Sequence, residues 1–255
     1  LSGSGGGDRG IYGAVGINVD DTDDSGYITI CNLTIHGMDN HGIHLRDYGH
    51  EIIVHDVEIY GCGTNGGAEV GNVDMSYWEP TAGGYSCWKN DESEKTPDCK
   101  FYDSIVHEPG TGSETIDNFM GMAGVKIYNN TVYHDAQKSS SADHFFITGS
   151  YIEIFKNLVY SVNGDNSNHF FYVYTMYKEN PNYIKIYNNV AYKPLGDSNH
   201  GFGVFIRAYT GYTVNNVEVY NNTIYGQAYP IYMNEDDNDS ITNVTIKNNI
   251  FGGGQ

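Results

Sequence analysis

"VKIYNNTVYHDA" spans residues 125–136 and "VEVYNNTIYGQA" spans 217–228, so the chain writes nearly the same dozen residues twice, about ninety residues apart. A dinucleotide-binding fold or a helical bundle has no use for such an echo. A solenoid needs one in every turn, because each repeat buries its apolar face only against its neighbours. Aligning on the second Asn extends the series to "ITICNLTI", "IIVHDVEI", "CKFYDSIV", "VKIYNNTV", "IEIFKNLV", "IKIYNNVA", "VEVYNNTI" and "VTIKNNIF". The aligned position falls on Asn32, Asp56, Ser104, Asn130, Asn157, Asn189, Asn222 and Asn249, at intervals of 24 to 33 residues except the 48 between Asp56 and Ser104. That long interval predicts an insertion, over about 63–98.

Just before each aligned position the residues alternate with period two, as in a strand with one buried face. The inward residues form columns such as Ile28, Ile52, Val125, Ile152, Ile184, Val217 and Val244, and the outward ones include Lys126, Glu153, Lys185 and Glu218. Alternating sign is what parallel strands stacked about 4.8 Å apart favour. Composition agrees: 23 Tyr and 32 Gly in 255 residues favour strands and turns over helices.

The motif series "YNNTVY", "FKNLVY", "YNNVAY", "YNNTIY" and "IKNNIF" resembles the right-handed parallel β-helix of pectate-lyase-like proteins, whose rungs carry an asparagine ladder at the bend after a short strand. The resemblance covers roughly residues 28–251. It implies an all-β, single-domain solenoid over 1–255, with the asparagines as architecture: a buried amide satisfies backbone groups that the bend leaves unpaired. It is specific for fold and not for activity, since that scaffold carries lyases, hydrolases, epimerases, adhesins and phage parts.

A second strand set precedes the ladder in most rungs: "HGIHLRD", "HFFITG", "HFFYVYT", "HGFGVFIR" and "YPIYMNE". Alternation puts Ile43, Phe146, Phe171, Phe202 and Ile231 inward and leaves His44, Arg46, Tyr172, Tyr174, Phe205, Arg207 and Tyr232 outward. Outward Tyr172, Tyr174, Phe205 and Tyr232 offer plates for sugar rings, and Arg207 a two-toothed contact for a uronate carboxylate. The bland alternative is that the rings only hold neighbouring rungs together.

The resemblance implies lyases that abstract a proton α to a uronate with Lys, Arg, His or Tyr, often with calcium, or hydrolases with clustered Asp. No complete motif of either kind is present. The closest concentration of unlike polar groups is His44, Arg46, Asp47 and His50 in "HLRDYGH", either a catalytic set or a plain polar rung edge. His41, His144, His169 and His200 recur at the strand entry, and such regularity suits a stacked turn column better than a site. Asp21, Asp23 and Ser25 in "DDTDDSGY" form the first half of a calcium loop, with an acidic surface turn as the alternative.

Net charge is −19, from 32 acidic and 13 basic residues. Such a surface argues against nucleic-acid partners and disfavours polyanionic sugars unless cations bridge them. No stretch has the roughly 18 apolar residues of a membrane span. The four cysteines lack zinc spacing and are expected as disulfides, Cys87–Cys99 and Cys31–Cys62, which with the acidic composition points to an extracellular protein. The absence of an initiator Met would suit a mature or excised product. The expected function is that of a secreted, carbohydrate-active β-helix, a lyase or related enzyme on a uronic-acid polysaccharide. The alternative is a structural or adhesive solenoid whose uncovered last rung allows end-to-end self-association.

Overall fold

A computed structural model describes residues 16–20, 27–38, 41–46, 51–63, 70–74, 99–108, 116–121, 124–134, 143–162, 169–175, 180–194, 201–209, 211–235 and 239–253. These residues form strands and turns without a helix, and every strand pairing among them is parallel. The arrangement is that of a parallel β-solenoid. One sheet holds eight strands, in order Ile17–Asp20, Ile43–Arg46, Val70–Asp74, Ile116–Gly121, Phe145–Ile147, Phe171–Tyr174, Phe202–Ala208 and Tyr229–Glu235. The other holds the echoed segments, whose arms before and after the bend are separate strands, such as Val125–Tyr128 and Thr131–His134.

The core is a set of columns running along the axis. Ile30, Val54, Phe101, Ile127, Ile154, Ile186, Val219 and Ile246 stand in register in one of them. Ile43, Val73, Phe119, Phe145, Phe171, Val204 and Ile231 form another, in which Phe119, Phe145 and Phe171 stack at 5.0 and 5.2 Å. The outward row does run Lys126, Glu153, Lys185, Glu218, and Lys126 reaches Glu153 at 4.0 Å. At that exposure such a pair contributes little.

At the bend, two adjacent residues divide the labour. Asp103, Asn129, Lys156, Asn188, Asn221 and Asn248 have φ between 51° and 57°, the left-handed conformation that Asn and Asp tolerate best among residues with a side chain. The next residues, Ser104, Asn130, Asn157, Asn189 and Asn222, turn inward and are buried. Each of Asn130, Asn157, Asn189 and Asn222 donates its amide to the Oδ1 of the next Asn at 3.0–3.1 Å and to a carbonyl of the preceding rung.

The first two rungs shift the expected register by one. Asn32 and Asp56 hold the left-handed, exposed place, with φ of 57° and 52°. The inward place belongs to Leu33 and Val57, and Ser104 Oγ accepts the Val57 N–H at 3.2 Å. "CNL" and "HDV" carry one polar residue that looks like the ladder member, but the apolar residue after it is what the core takes.

The second strand set shifts too. "HFF" at 144–146 and at 169–171 invites pairing His with His, yet the sheet pairs Phe145 with Phe171. Phe145 is therefore inward and Phe146 outward, against Tyr172. Phe202 also lies outward, in ring contact with Phe205 and Tyr232. The histidines form no single column. His144 continues an inner polar row begun by Asn72 and Asn118, in which Asn72 donates to Asn118 Oδ1 at 2.8 Å. His200 lies outside the described residues.

Part of the expected insertion belongs to the sheet. Val70–Asp74, "VGNVD", is a full member of the eight-stranded sheet, disguised by Gly71 and by Asn72, which turns inward to bond. Ile17–Asp20 and Ile116–Gly121 likewise complete rungs whose strands the pattern had not shown. The expected Cys31–Cys62 bridge is absent, and both are free thiols. Cys31 stands opposite His55, whereas Cys62 lies past the far end of that strand, buried, its thiol pushed up to about 11 by burial. Cys87, and with it the Cys87–Cys99 pairing, lies outside the described residues.

Candidate functional site

The outer face of the eight-stranded sheet gathers the five residues expected to bind substrate. Register places Tyr172, Phe205 and Tyr232 in one row along the axis, and Tyr174 and Arg207 in the next. Inward neighbours Val173, Val204 and Ile206 are fully buried, which fixes the alternation and aims these five outward.

The rings fall into two groups by how they pack. Tyr172 and Phe205 stack at 4.7 Å with 3° between planes, and Tyr172 also covers Tyr174 at 5.1 Å and His169 at 5.0 Å. Faces used this way are closed to a sugar, so these rings are the foundation. Phe205 is buried accordingly. The rings at the margin are exposed, with Tyr232 stacked by one face on Phe202 at 4.8 Å and 15° and otherwise tilted to its neighbours. Tyr232 lies at 45° to Phe205, Tyr229 at 46° to Tyr232 and Tyr209 at 65° to Tyr174. Exposure is 39% for Tyr232, 52% for Tyr229 and 46% for Tyr209. The Arg207 guanidinium sits 5.5 Å from the centroids of both Tyr174 and Tyr209, held by two rings.

The other aromatic rows have a different geometry. Tyr102, Tyr128, Phe155, Tyr187 and Tyr220 stack at 4.9–5.0 Å within 11° of parallel, each ring covering the next and showing only its edge. Lys247 closes the row over Tyr220 at 5.2 Å. Such a row holds rungs together and offers no plate.

Beneath the platform lies a pair that sequence reasoning missed. Asp143 Oδ1 is 2.6 Å from His169 Nδ1 and also accepts the His169 backbone N–H at 3.1 Å. Both residues are buried, and the His169 ring is flanked by Tyr172, Phe202 and Phe205. The signal that could have found it was the one-residue offset between the two "HFF" segments, which sets Asp143 opposite His169. Burial pushes the Tyr172 phenol well up, only partly offset by its hydrogen bond to Arg207. It stays protonated at neutral pH and can donate but not abstract a proton.

Of the expected catalytic set, only His44 and Arg46 fall among the described residues. His44 is buried, its ring 5.0 Å from that of His41. Arg46 is opposite Asp20 in strand register, and Asp47 and His50 lie outside the described residues. Asp21, Asp23 and Ser25 lie outside them too. Among the described residues no group of three His, Cys, Asp or Glu side chains is placed to hold a metal ion, and no helix is long and apolar enough to cross a membrane. No protein-family model, no curated protein and no solved structure matches the chain.

Proposed function

We propose that this protein is a right-handed parallel β-helix of the pectate-lyase-like kind, its asparagine column serving as that family's ladder, and that it is an extracellular binder of polysaccharide. The observation that carries the binding reading is the margin of the platform: exposed Tyr229 and Tyr232 at one edge and, at the other, exposed Tyr209 beside an arginine held between Tyr174 and Tyr209. Tyr209, Tyr229 and Tyr232 supply ring faces for the C–H faces of sugars, and Arg207 supplies the carboxylate contact of a uronate. Tyr172 and Phe205 support the plates from below. With a net charge of −19, binding of a polyuronate requires that cations screen or bridge the contact. Calcium is the cofactor this reading takes.

The test is a calorimetric panel of neutral and uronic-acid oligosaccharides, with and without calcium, run beside an assay for the unsaturated product of elimination at about 235 nm, where conjugated uronates absorb. Binding with product establishes a lyase; binding without product establishes a non-catalytic receptor. No binding across the panel overturns the reading. A structural or adhesive solenoid is the second reading, favoured by the parallel-stacked row of Tyr102, Tyr128, Phe155, Tyr187 and Tyr220, which ties rungs together and offers no plate.

A further inference from the structure

Asn-x-Ser/Thr triplets, the acceptor signature for N-linked glycans, begin at Asn32, Asn129, Asn221, Asn238 and Asn243. A chain rich in Asn makes some of these by chance, so it is their placement in the fold that discriminates. Strand register puts Asn32, Asp56, Asp103, Asn129, Lys156, Asn188, Asn221 and Asn248 in one row along the outside of the bend. Asn32, Asn129 and Asn221 are the first, fourth and seventh members of that row. Three rungs separate each from the next, about 14 Å at roughly 4.8 Å a rung.

The bend explains these asparagines but not the threonines. Asn32, Asn129 and Asn221 have φ of 57°, 57° and 56°, which Asn tolerates. Two residues on, Thr34, Thr131 and Thr223 share an outward row with Glu58, Ile105, Leu158, Val190 and Ile250. The fold therefore accepts an acid or an aliphatic side chain at that place and does not require a hydroxyl. The middle residue of each triplet, Leu33, Asn130 or Asn222, turns inward, so amide and hydroxyl leave the chain on the same outer surface. All three acceptor asparagines are exposed. Asn32 Nδ2 meets the weak acceptor Cys31 Sγ at 3.2 Å, and among the described residues nothing bonds the side-chain amides of Asn129 and Asn221. Asn243 belongs to another row and donates its Nδ2 to Asn215 Oδ1 at 2.9 Å. Asn238 lies outside the described residues. No strand of the eight-stranded sheet, which carries the platform, contains the start of such a triplet.

We infer that Asn32, Asn129 and Asn221 are N-glycosylation sites, so that the bend edge carries the sugar chains and the platform face stays open. The inference rests on the extracellular part of the proposed function and not on polysaccharide binding. The donor is a lipid-linked oligosaccharide diphosphate. Asparagine Nδ2 bonds to the anomeric carbon as that carbon's bond to the diphosphate oxygen breaks; one Nδ2 proton passes to a base of the transferring enzyme, and the lipid diphosphate leaves with the electron pair. The folded rung tolerates the product, because the inward Asn130 and Asn222 keep their own bonds to Asn157 and Asn249.

The test is peptide mass mapping of the protein isolated from the cells that make it, by fragmentation that leaves each sugar on its residue, with cell fractionation run beside it. Peptides carrying Asn32, Asn129 and Asn221 should appear chiefly at masses raised by a series of sugar units. Thr131→Val should remove the glycan from Asn129 and keep the circular dichroism of the parent, since Val190 already stands in that row. Asn129→Asp should remove the same glycan, with Asp56 and Asp103 as precedents for Asp at the bend. Secreted protein with bare Asn129 and Asn221 overturns the inference and leaves the extracellular reading in place. Unmodified protein retained inside the cells overturns both. A sugar that survives Thr131→Val and Asn129→Asp alike also overturns the inference, because it is then attached elsewhere.

Discussion

Asn189 Oδ1 accepts two hydrogen bonds from Asn157, one from its backbone N–H at 3.0 Å and one from its side-chain amide at 3.1 Å. Each inward asparagine thus closes the bend of the rung before it, and the rung after closes its own. Replacing Asn189 by Leu removes these two and also the bonds to the Ile154 carbonyl and to Asn222. At about 1–3 kcal/mol per buried group left unmet, several kcal/mol should be lost. Asn188, exposed with φ of 56°, should lose only about 1 kcal/mol as Ala, from the left-handed backbone. Urea midpoints of the two variants decide it: equal losses would falsify the inward assignment of Asn189.

His144 should make the protein acid-sensitive. Its ring is fully buried, with Nε2 3.0 Å from the Tyr160 carbonyl and Nδ1 3.3 Å from that of His169. Burial lowers its pKa from 6.5 to about 4, despite both carbonyls and Asp143 favouring the charged form, with neighbouring His169 opposing it. A folded-state pKa below the unfolded one means that the unfolded chain binds the extra proton. Stability is full above pH 6.5, falls between 6.5 and 4, and levels off below, with a total loss of about 3 kcal/mol from this group. Asparagine, which the same row carries at 72 and 118, should shrink that loss as His144→Asn. An unchanged difference in stability between pH 7 and pH 4 in that variant would refute the role.

Two glycines with similar backbone angles should respond differently to alanine. Gly226 has φ of 85° and its Cβ position is 2.0 Å from the Lys193 carbonyl oxygen; Gly211 has φ of 88° and open space around it. Gly211→Ala should cost about 1 kcal/mol from backbone conformation alone. Gly226→Ala adds a collision with main chain and should lower the melting temperature far more. Similar melting shifts would show that the rungs at Gly226 and Lys193 have room to part.

Binding at the platform should separate plates from foundations. Tyr232→Ala and Arg207→Ala should each weaken oligosaccharide binding about tenfold, an ordinary stacking or charged contact. Tyr172→Phe keeps the stack with Phe205 and should bind nearly as well. Tyr187→Ala, in an edge-on row, should lower stability and leave affinity alone. Calorimetry on these four variants tests the division; loss of affinity at Tyr187 equal to that at Tyr232 would refute it.

The solenoid was legible in the sequence because a repeat is a local statement. "YNNTVY" and "YNNTIY" need the same bend, and period-two alternation names the buried face of a strand without reference to any other segment. The five platform residues followed from that alternation. Register between rungs was less legible wherever a polar residue stood beside the true inward place. Asn32 precedes Leu33, and His144 resembles His169, yet main-chain pairing and close packing of Phe119, Phe145 and Phe171 decide which residue meets which. That one-residue offset is also what brings Asp143 against His169, 26 positions apart. Whether a ring is a plate or a support was not in the sequence at all. Tyr172 and Tyr232 are the same residue in the same row, but Tyr172 has Phe205, Tyr174 and His169 stacked against it whereas Tyr232 has Phe202 alone and stays exposed.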